Sequence, residues 1–262
     1  AVMLNILAII YEAQGKHDQA EILFKRALVK NISDFGSENS EAVLSIHNLA
    51  GILKIQGKHE LAEPLYKRAL TISEQTLGPD HYAVATSLVN LGTFYSDQRK
   101  YDKAVPLYKK ALAIREKALG PDHLDVSKVL NCLAFTYFSQ GEYESAEPLC
   151  MRVLAISEKS FGHRHPEVVK ALDDLAIIYL AQGKFAQAEP VYSRTLAIKI
   201  KDLGPDHPTV AEFLNTLAKR YIDKEKYDKA ESLYKQVLAI REKAFGPAHP
   251  DVAKVLEDLA NI

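Results

Sequence analysis

Residues 78–120 read GPDHYAVATSLVNLGTFYSDQRKYDKAVPLYKKALAIREKALG, and similar phrases recur at intervals of 42 residues (120 − 78). Glycines mark this period at positions 36, 78, 120, 162, 204 and 246, and histidines repeat it at positions 81, 123, 165, 207 and 249. An internal period of about 20–50 residues is typical of arrays in which one small structural unit stacks on the next. The stretch therefore decides the architecture of the whole chain.

Apolar residues within each period have helical spacing. Leu88, Leu91 and Tyr95 fall at i, i+3 and i+7, which places them on one face of a first helix. A polar turn at residues 97–99 follows, and Ala104 and Tyr108 then mark one face of a second helix. Each period therefore predicts a pair of helices, and the chain is expected to be all-α.

Glycine and proline predict where the helices begin and end. Gly120 is expected to end a second helix in the left-handed conformation, and Asp122 is expected to cap the next first helix. Prolines recur near the start of the second helix, where they are tolerated in the first turn. We interpret these four residues as first-turn prolines: Pro64, Pro106, Pro148 and Pro190.

The recurring residues resemble the tetratricopeptide pattern of Leu, Leu, Gly or Ala, Tyr, then Ala, an aromatic residue and Ala. In the third repeat these positions hold Leu88, Leu91, Gly92, Tyr95, Ala104, Tyr108 and Ala111. The period of 42 residues, with its GPDHP and AEPLYKRAL phrases, resembles the repeats of kinesin light chain and nephrocystin-3. The resemblance implies a right-handed α-solenoid of six full helix–turn–helix repeats plus the first helix of a seventh.

We expect one tetratricopeptide repeat superhelix to span residues 1–262. Its repeats are predicted at about residues 1–35, 36–77, 78–119, 120–161, 162–203 and 204–245, with a partial repeat at 246–262. The chain opens with Ala1 and stops inside an apolar helical pattern at Ile262, so we expect a fragment of a longer protein.

Composition excludes several classes of function. The 33 basic and 34 acidic residues give a net charge of −1, which argues against a nucleic-acid partner. No apolar run reaches the length of a membrane span, and the two cysteines suit the core of a cytoplasmic protein. No catalytic constellation, metal-ligand set or cofactor motif is recognised, so we expect a protein without catalytic residues, metal or cofactor.

The resemblance implies that first helices line a concave groove that binds peptides. The groove residues predicted from it are His47, Val89, Lys128, Asn131, Phe135, Phe138, Lys170, Asp173, Ile177, Leu180, Asn215, Lys219 and Ile222. Phe135 and Phe138 are informative because the repeat pattern does not require apolar residues there. Flanking lysines favour a peptide with a hydrophobic anchor and acidic neighbours. The alternative interpretation is that these apolar side chains pack on each other or on the next helix.

Two functional hypotheses follow. The first is a non-catalytic interaction module that binds a peptide or partner segment, in the manner of a kinesin-light-chain-like cargo or scaffold adaptor. The second is the sensor or oligomerisation arm of a larger nucleotide-binding signalling regulator. Leu4, Ile6 and Leu7 also predict end-to-end self-association, since repeat arrays need polar terminal caps.

Overall fold

A computed structural model describes residues 1–36 and 39–262 of the chain. Across these residues the secondary structure is α-helical, with thirteen helices and no strand. The chain forms two compact units, residues 1–142 and residues 143–262, and each is described by itself. The predicted all-α fold of paired helices is confirmed, while a single superhelix over all 262 residues stays a prediction.

The first unit contains seven helices in which a shorter first helix alternates with a longer second helix. These are α1 (Val2–Ala13), α2 (His17–Phe35), α3 (Ser40–Ile55), α4 (His59–Leu77), α5 (Tyr82–Asp97), α6 (Tyr101–Leu119) and α7 (Leu124–Gln140). Within this unit each helix from α1 to α6 packs against the next one along the chain, so first and second helices form successive antiparallel pairs.

The second unit continues the alternation with six helices. These are α8 (Tyr143–Phe161), α9 (Pro166–Ala181), α10 (Phe185–Leu203), α11 (Pro208–Ile222), α12 (Tyr227–Phe245) and α13 (Pro250–Ala260). In both units every second helix from α2 to α12 has 19 residues. The 42-residue period therefore fixes the helix length as well as the helix order.

Small residues lie where the two helices of a pair come closest. Ala104 is fully buried on α6, and the ring of Tyr108 beside it is 2% exposed. A methyl group at such a crossing lets the facing helix approach and leaves a hole for the aromatic ring. The same fully buried alanine recurs in the other pairs, at Ala20, Ala62, Ala146, Ala188 and Ala230.

The periodic histidines cap the first helices. In α7, Nδ1 of His123 accepts a hydrogen bond from the backbone amide of Asp125 at 3.1 Å. The same bond, at 3.2 Å, is made by His81, His165, His207 and His249. The expectation that Asp122 supplies this cap is therefore wrong, because the residue with extended backbone just before α7 is His123.

The second helices end at glycines with positive φ, but not in the left-handed helical conformation. Gly120 has φ 85° and ψ 159°, so its backbone is extended with the sign of φ reversed. Gly36, Gly78, Gly204 and Gly246 have the same geometry. Glycine ends these helices as predicted, but the predicted left-handed helical conformation is wrong. The two conformations share a positive φ and differ in ψ.

The four recurring prolines lie deeper in the second helices than predicted. Pro106 is the sixth residue of α6, which begins at Tyr101, and therefore lies in the second turn. Pro64, Pro148 and Pro190 occupy the same place. The first-turn interpretation is wrong because each of these helices begins five residues before its proline, as α6 begins at Tyr101, earlier than the proline suggested.

Candidate functional site

In the first unit, four of the predicted groove residues form a stripe along α7. Lys128, Asn131, Phe135 and Phe138 are spaced by three, four and three residues, which places them on one face of the helix. Phe135 is 65% exposed, the highest exposure of any Phe or Tyr among the described residues. Asn131 and Phe138 are half-buried and Lys128 is exposed. We call these residues the α7 stripe.

The charge at the beginning of the α7 stripe is already partly neutralised. Nζ of Lys128 lies 2.8 Å from a carboxylate oxygen of Asp125, and the other oxygen accepts a hydrogen bond of 2.8 Å from the hydroxyl of Tyr82. These two donors lower the pKa of Asp125, with the Lys128 hydrogen bond contributing most. An acidic ligand residue would therefore have to compete with Asp125 for Lys128.

His47, on α3, braces the neighbouring first helix. Its Nε2 lies 2.9 Å from Oγ of Ser87 on α5, and that hydroxyl lies 3.1 Å from Oγ of Ser73 on α4. Burial lowers the pKa of His47 to about 4, so the ring is neutral at pH 7. Val89, the corresponding residue on α5, is half-buried.

The same arrangement occurs one repeat earlier. Oγ of Ser45 on α3 accepts hydrogen bonds from Asn5 at 3.3 Å and from Asn31 at 2.9 Å. We call these two clusters the serine bridges. Both serine bridges therefore join the first helices of neighbouring repeats.

In the second unit, the predicted residues of α9 lie at different depths. Lys170 is exposed, and Asp173 and Ile177 are half-buried. Leu180 is only 3% exposed, so it packs in the core and offers no surface to a ligand. Burial raises the pKa of Asp173 and also that of Asp174, which the sequence did not single out.

The predicted residues of α11 lie nearer the surface. Lys219 is exposed, and Asn215 and Ile222 are half-buried. The side-chain oxygen of Asn215 is buried without a hydrogen-bond partner in the described structure. An amide in this state can still accept a bond from a ligand.

The described residues contain no cluster of three or more His, Cys, Asp or Glu side chains that could hold a metal ion. The two cysteines, Cys132 and Cys150, are free thiols. Burial raises the pKa of both, and that of Cys150 to about 12, so both are protonated at neutral pH. Within the described helices none is long and apolar enough to cross a membrane.

Comparison with known proteins agrees with this architecture. Tetratricopeptide repeat models match residues 4–34, 41–117, 84–131, 125–201 and 210–251. The chain belongs to the tetratricopeptide repeat family. No curated protein matches it.

Solved structures that resemble this chain include tetratricopeptide repeats of the kinesin light chain type. One is a structure of nearly identical TPR-like repeats from Podosopora anserina, assigned there to a kinesin light chain. Its sequence is 26% identical to this chain and the TM-score is 0.68, and the match covers 76% of this chain and 94% of that one. BtubC (BKLC) from P. vanneervenii has 21% identity and a TM-score of 0.70, over 89% and 94%.

A third structure shares the fold alone. YrrB, described as a TPR protein with an unusual peptide-binding site, has 17% identity and a TM-score of 0.53, over 88% of this chain and 97% of its own. Together the family and its neighbours indicate a protein–protein interaction scaffold.

Proposed function

We propose that the chain is a peptide-binding module of the kinesin-light-chain-like adaptor type. The observation that carries this proposal is the exposure of Phe135, which is 65% and which packing of the repeat does not require. Exposed apolar side chains grouped on one face of a helix are common at binding surfaces. The α7 stripe places Asn131 and Phe138 beside Phe135, so an apolar anchor and a backbone amide of a peptide both find partners there.

The proposed ligand is an extended peptide with a hydrophobic anchor and acidic neighbours. Burying a Phe side chain contributes about 1.5–3 kcal/mol, whereas an exposed ion pair contributes about 0–1 kcal/mol. Since Lys128 is already paired with Asp125, an acidic neighbour would add little affinity. The anchor should therefore set the affinity, and the charges should set the direction of binding and its rate.

The second unit offers a similar set of side chains. Lys170 and Lys219 are exposed, and Ile177 and Ile222 are half-buried. We include them in the proposal, together with Asp173, Asn215, His47 and Val89, as residues that contact a ligand.

A peptide array with aromatic and aliphatic anchors in acidic and neutral contexts tests this function. The Phe135→Ala variant should weaken binding of the best peptides by about tenfold or more, which is typical for loss of an aromatic anchor. Phe35→Ala is the matched control, because Phe35 is 55% exposed but ends a second helix. Equal binding by the Phe135→Ala variant and the wild type would refute the peptide-binding surface.

A second candidate function is an oligomerisation or sensor arm of a larger signalling protein. It is favoured by the apolar surface of α1, where Val2, Met3, Ile6 and Ile10 are 71%, 76%, 47% and 46% exposed. Light scattering should then show a mass that rises with concentration, and Ile6→Lys should suppress the rise. A mass that does not depend on concentration would remove this candidate.

A further inference from the structure

The second unit contains a cavity of about 240 Å³ between α9, α10 and α11. Its wall includes Asp173 from α9, Lys199 from α10, and Glu212, Phe213 and Arg220 from α11. Four of these five side chains carry charge, two of each sign. The volume is below the ~300–1,000 Å³ of sites for drug-sized ligands, which suits a small ligand.

The cavity lies at the repeat position that the serine bridges fill in the first unit. Asp173, Lys199 and Phe213 correspond to His47, Ser73 and Ser87, each displaced by 126 residues, or three periods (173 − 47, 199 − 73, 213 − 87). In the bridge, the central serine hydroxyl joins the other two side chains.

In the second unit this serine is replaced by an aromatic ring. Phe213 offers no hydroxyl, so it cannot join Asp173 to Lys199 as Ser87 joins its neighbours. The replacement removes the hydroxyl that joins the corresponding side chains in the first unit.

The charged groups around the cavity make no close ion pairs with one another in the described structure. One carboxylate oxygen of Asp173 is buried without a hydrogen-bond partner. Nζ of Lys199 lies 5.5 Å from the centre of the Phe213 ring, and Arg220 donates one hydrogen bond, of 3.1 Å, to the Tyr192 hydroxyl. Among the described residues, no ion pair joins Asp173 or Glu212 to Lys199 or Arg220.

The surroundings of Asp173 favour an added positive charge. Burial raises its pKa, although Lys199, Thr195 and Arg220 act in the opposite direction. The Thr195 hydroxyl is fully buried beside Asp173 but makes no well-formed hydrogen bond. A partly buried carboxylate with an unpaired oxygen is stabilised when a cationic donor binds it.

We propose that this cavity binds a small zwitterion of the α-amino acid type. The ammonium group would contact Asp173 and Glu212, and the carboxylate would contact Lys199 and Arg220. The apolar part of the ligand would lie against Phe213 and Leu217, which also line the cavity. Opposite charges on one small molecule match the four charged side chains without leaving a net charge. This site lies outside the α7 stripe, although it shares Asp173 with the residues proposed to contact a peptide. Its test uses free amino acids, so the result does not depend on peptide binding.

Binding can be tested with the twenty free amino acids, each added alone to the full chain and followed by ligand-observed NMR and thermal shift. For the best amino acid, we then compare the free form with the N-acetylated and the carboxamide forms. Each modification removes one charge, so each should weaken binding by about tenfold or more. If no free amino acid binds, or if the modified forms bind as well as the free form, the proposal is overturned.

Variants locate the site. Asp173→Asn and Lys199→Gln should each weaken binding by about tenfold, since each removes one of the charges that the ligand contacts. Asp202→Asn is the control, because Asp202 is an exposed residue of α10 outside the cavity wall. Circular dichroism identifies any variant that fails to fold, and Glu212→Gln, at an exposed position, then replaces it. Unchanged binding in the folded cavity variants would also overturn the proposal.

Discussion

Replacing Gly92 by alanine tests how closely the third repeat is packed. A Cβ atom at Gly92 would lie 2.9 Å from Cε1 of Tyr108 and 3.1 Å from its Cδ1 and Cζ atoms. The ring cannot easily move away, because Tyr108 is 2% exposed and its hydroxyl donates a 3.0 Å hydrogen bond to Thr93. The substitution therefore forces either the ring or the helix backbone to shift.

Two opposing effects decide the result. Alanine is favoured over glycine inside a helix by about 1 kcal/mol. Overpacking of a close-packed core costs about 1–3 kcal/mol. The Gly92→Ala variant should therefore lose about 1 kcal/mol of unfolding free energy.

Gly51→Ala supplies the control within the same unit. Among the described residues beyond its own helix backbone, the one atom that a Cβ at Gly51 would meet within 4 Å is the Tyr66 hydroxyl oxygen, at 3.8 Å. This distance is ordinary van der Waals contact, so Gly51→Ala should gain up to about 1 kcal/mol. The two substitutions are chemically identical, and their effects should have opposite sign.

Urea unfolding followed by circular dichroism measures both variants, and a crystal structure of Gly92→Ala would show whether the Tyr108 ring moves. The other repeats hold alanine at the position of Gly92, namely at Ala8, Ala50, Ala134, Ala176 and Ala218. The steric conflict is therefore particular to the third repeat. A gain in stability for both variants would refute the packing argument.

Three further predictions concern a titrating side chain, a helix cap and the core. Burial lowers the pKa of His47 from 6.5 to about 4. The contribution of its neutral ring to the unfolding free energy is therefore fully present above pH 6.5 and is lost as the pH falls toward 4. The loss should reach up to about 3 kcal/mol. His47→Gln should flatten the fall in unfolding free energy over this range, and an unchanged slope would contradict the assignment. His165→Ala should lower the unfolding free energy by about 1 kcal/mol through loss of the cap to Glu167, whereas His163→Ala, at an exposed contact with Glu158, should change it by less than about 0.5 kcal/mol. Ala104→Leu should cost about 1–3 kcal/mol by overpacking a fully buried crossing, and an unchanged melting temperature would show that the helix register is wrong.

The fold could be predicted because the period and the helical spacing agree. Apolar residues such as Leu88 and Tyr95 recur at the same offsets in each repeat. The helices that the local sequence favours are therefore the same helices that the packing between repeats requires. The small and aromatic residues that the pattern requires are the ones the structure buries.

Details that depend on atomic geometry could not be predicted. The caps were assigned to Asp122 because carboxylates are common caps, whereas the backbone places the His123 ring over the free amides. The position of Pro106 within α6 depends on the residue at which the helix begins. The spacing of apolar residues does not define that residue to within one turn.

The candidate site was predicted only in part. Exposure of Phe135 agrees with its selection, but Leu180, chosen by the same rule, is buried. Leu180 occupies the repeat position of Phe138, which is itself half-buried, whereas Phe135 lies at another position of the repeat. The cavity beside Asp173 was missed because it depends on the separation between α10 and α11, which no sequence position encodes by itself.

At the glycines that end the second helices, the chirality of a replacement residue decides whether it is accepted, and its size does not. A Cβ atom at Gly120 would meet no atom within 4 Å in the part of the chain that the structure describes, its two chain neighbours aside. There is room for a side chain, yet φ is 85° and ψ is 159°. This combination is the mirror image of an extended conformation that L-amino acids readily adopt. In a chemically synthesised protein, D-alanine should therefore be accepted at Gly120, while L-alanine should introduce backbone strain of about 1–3 kcal/mol.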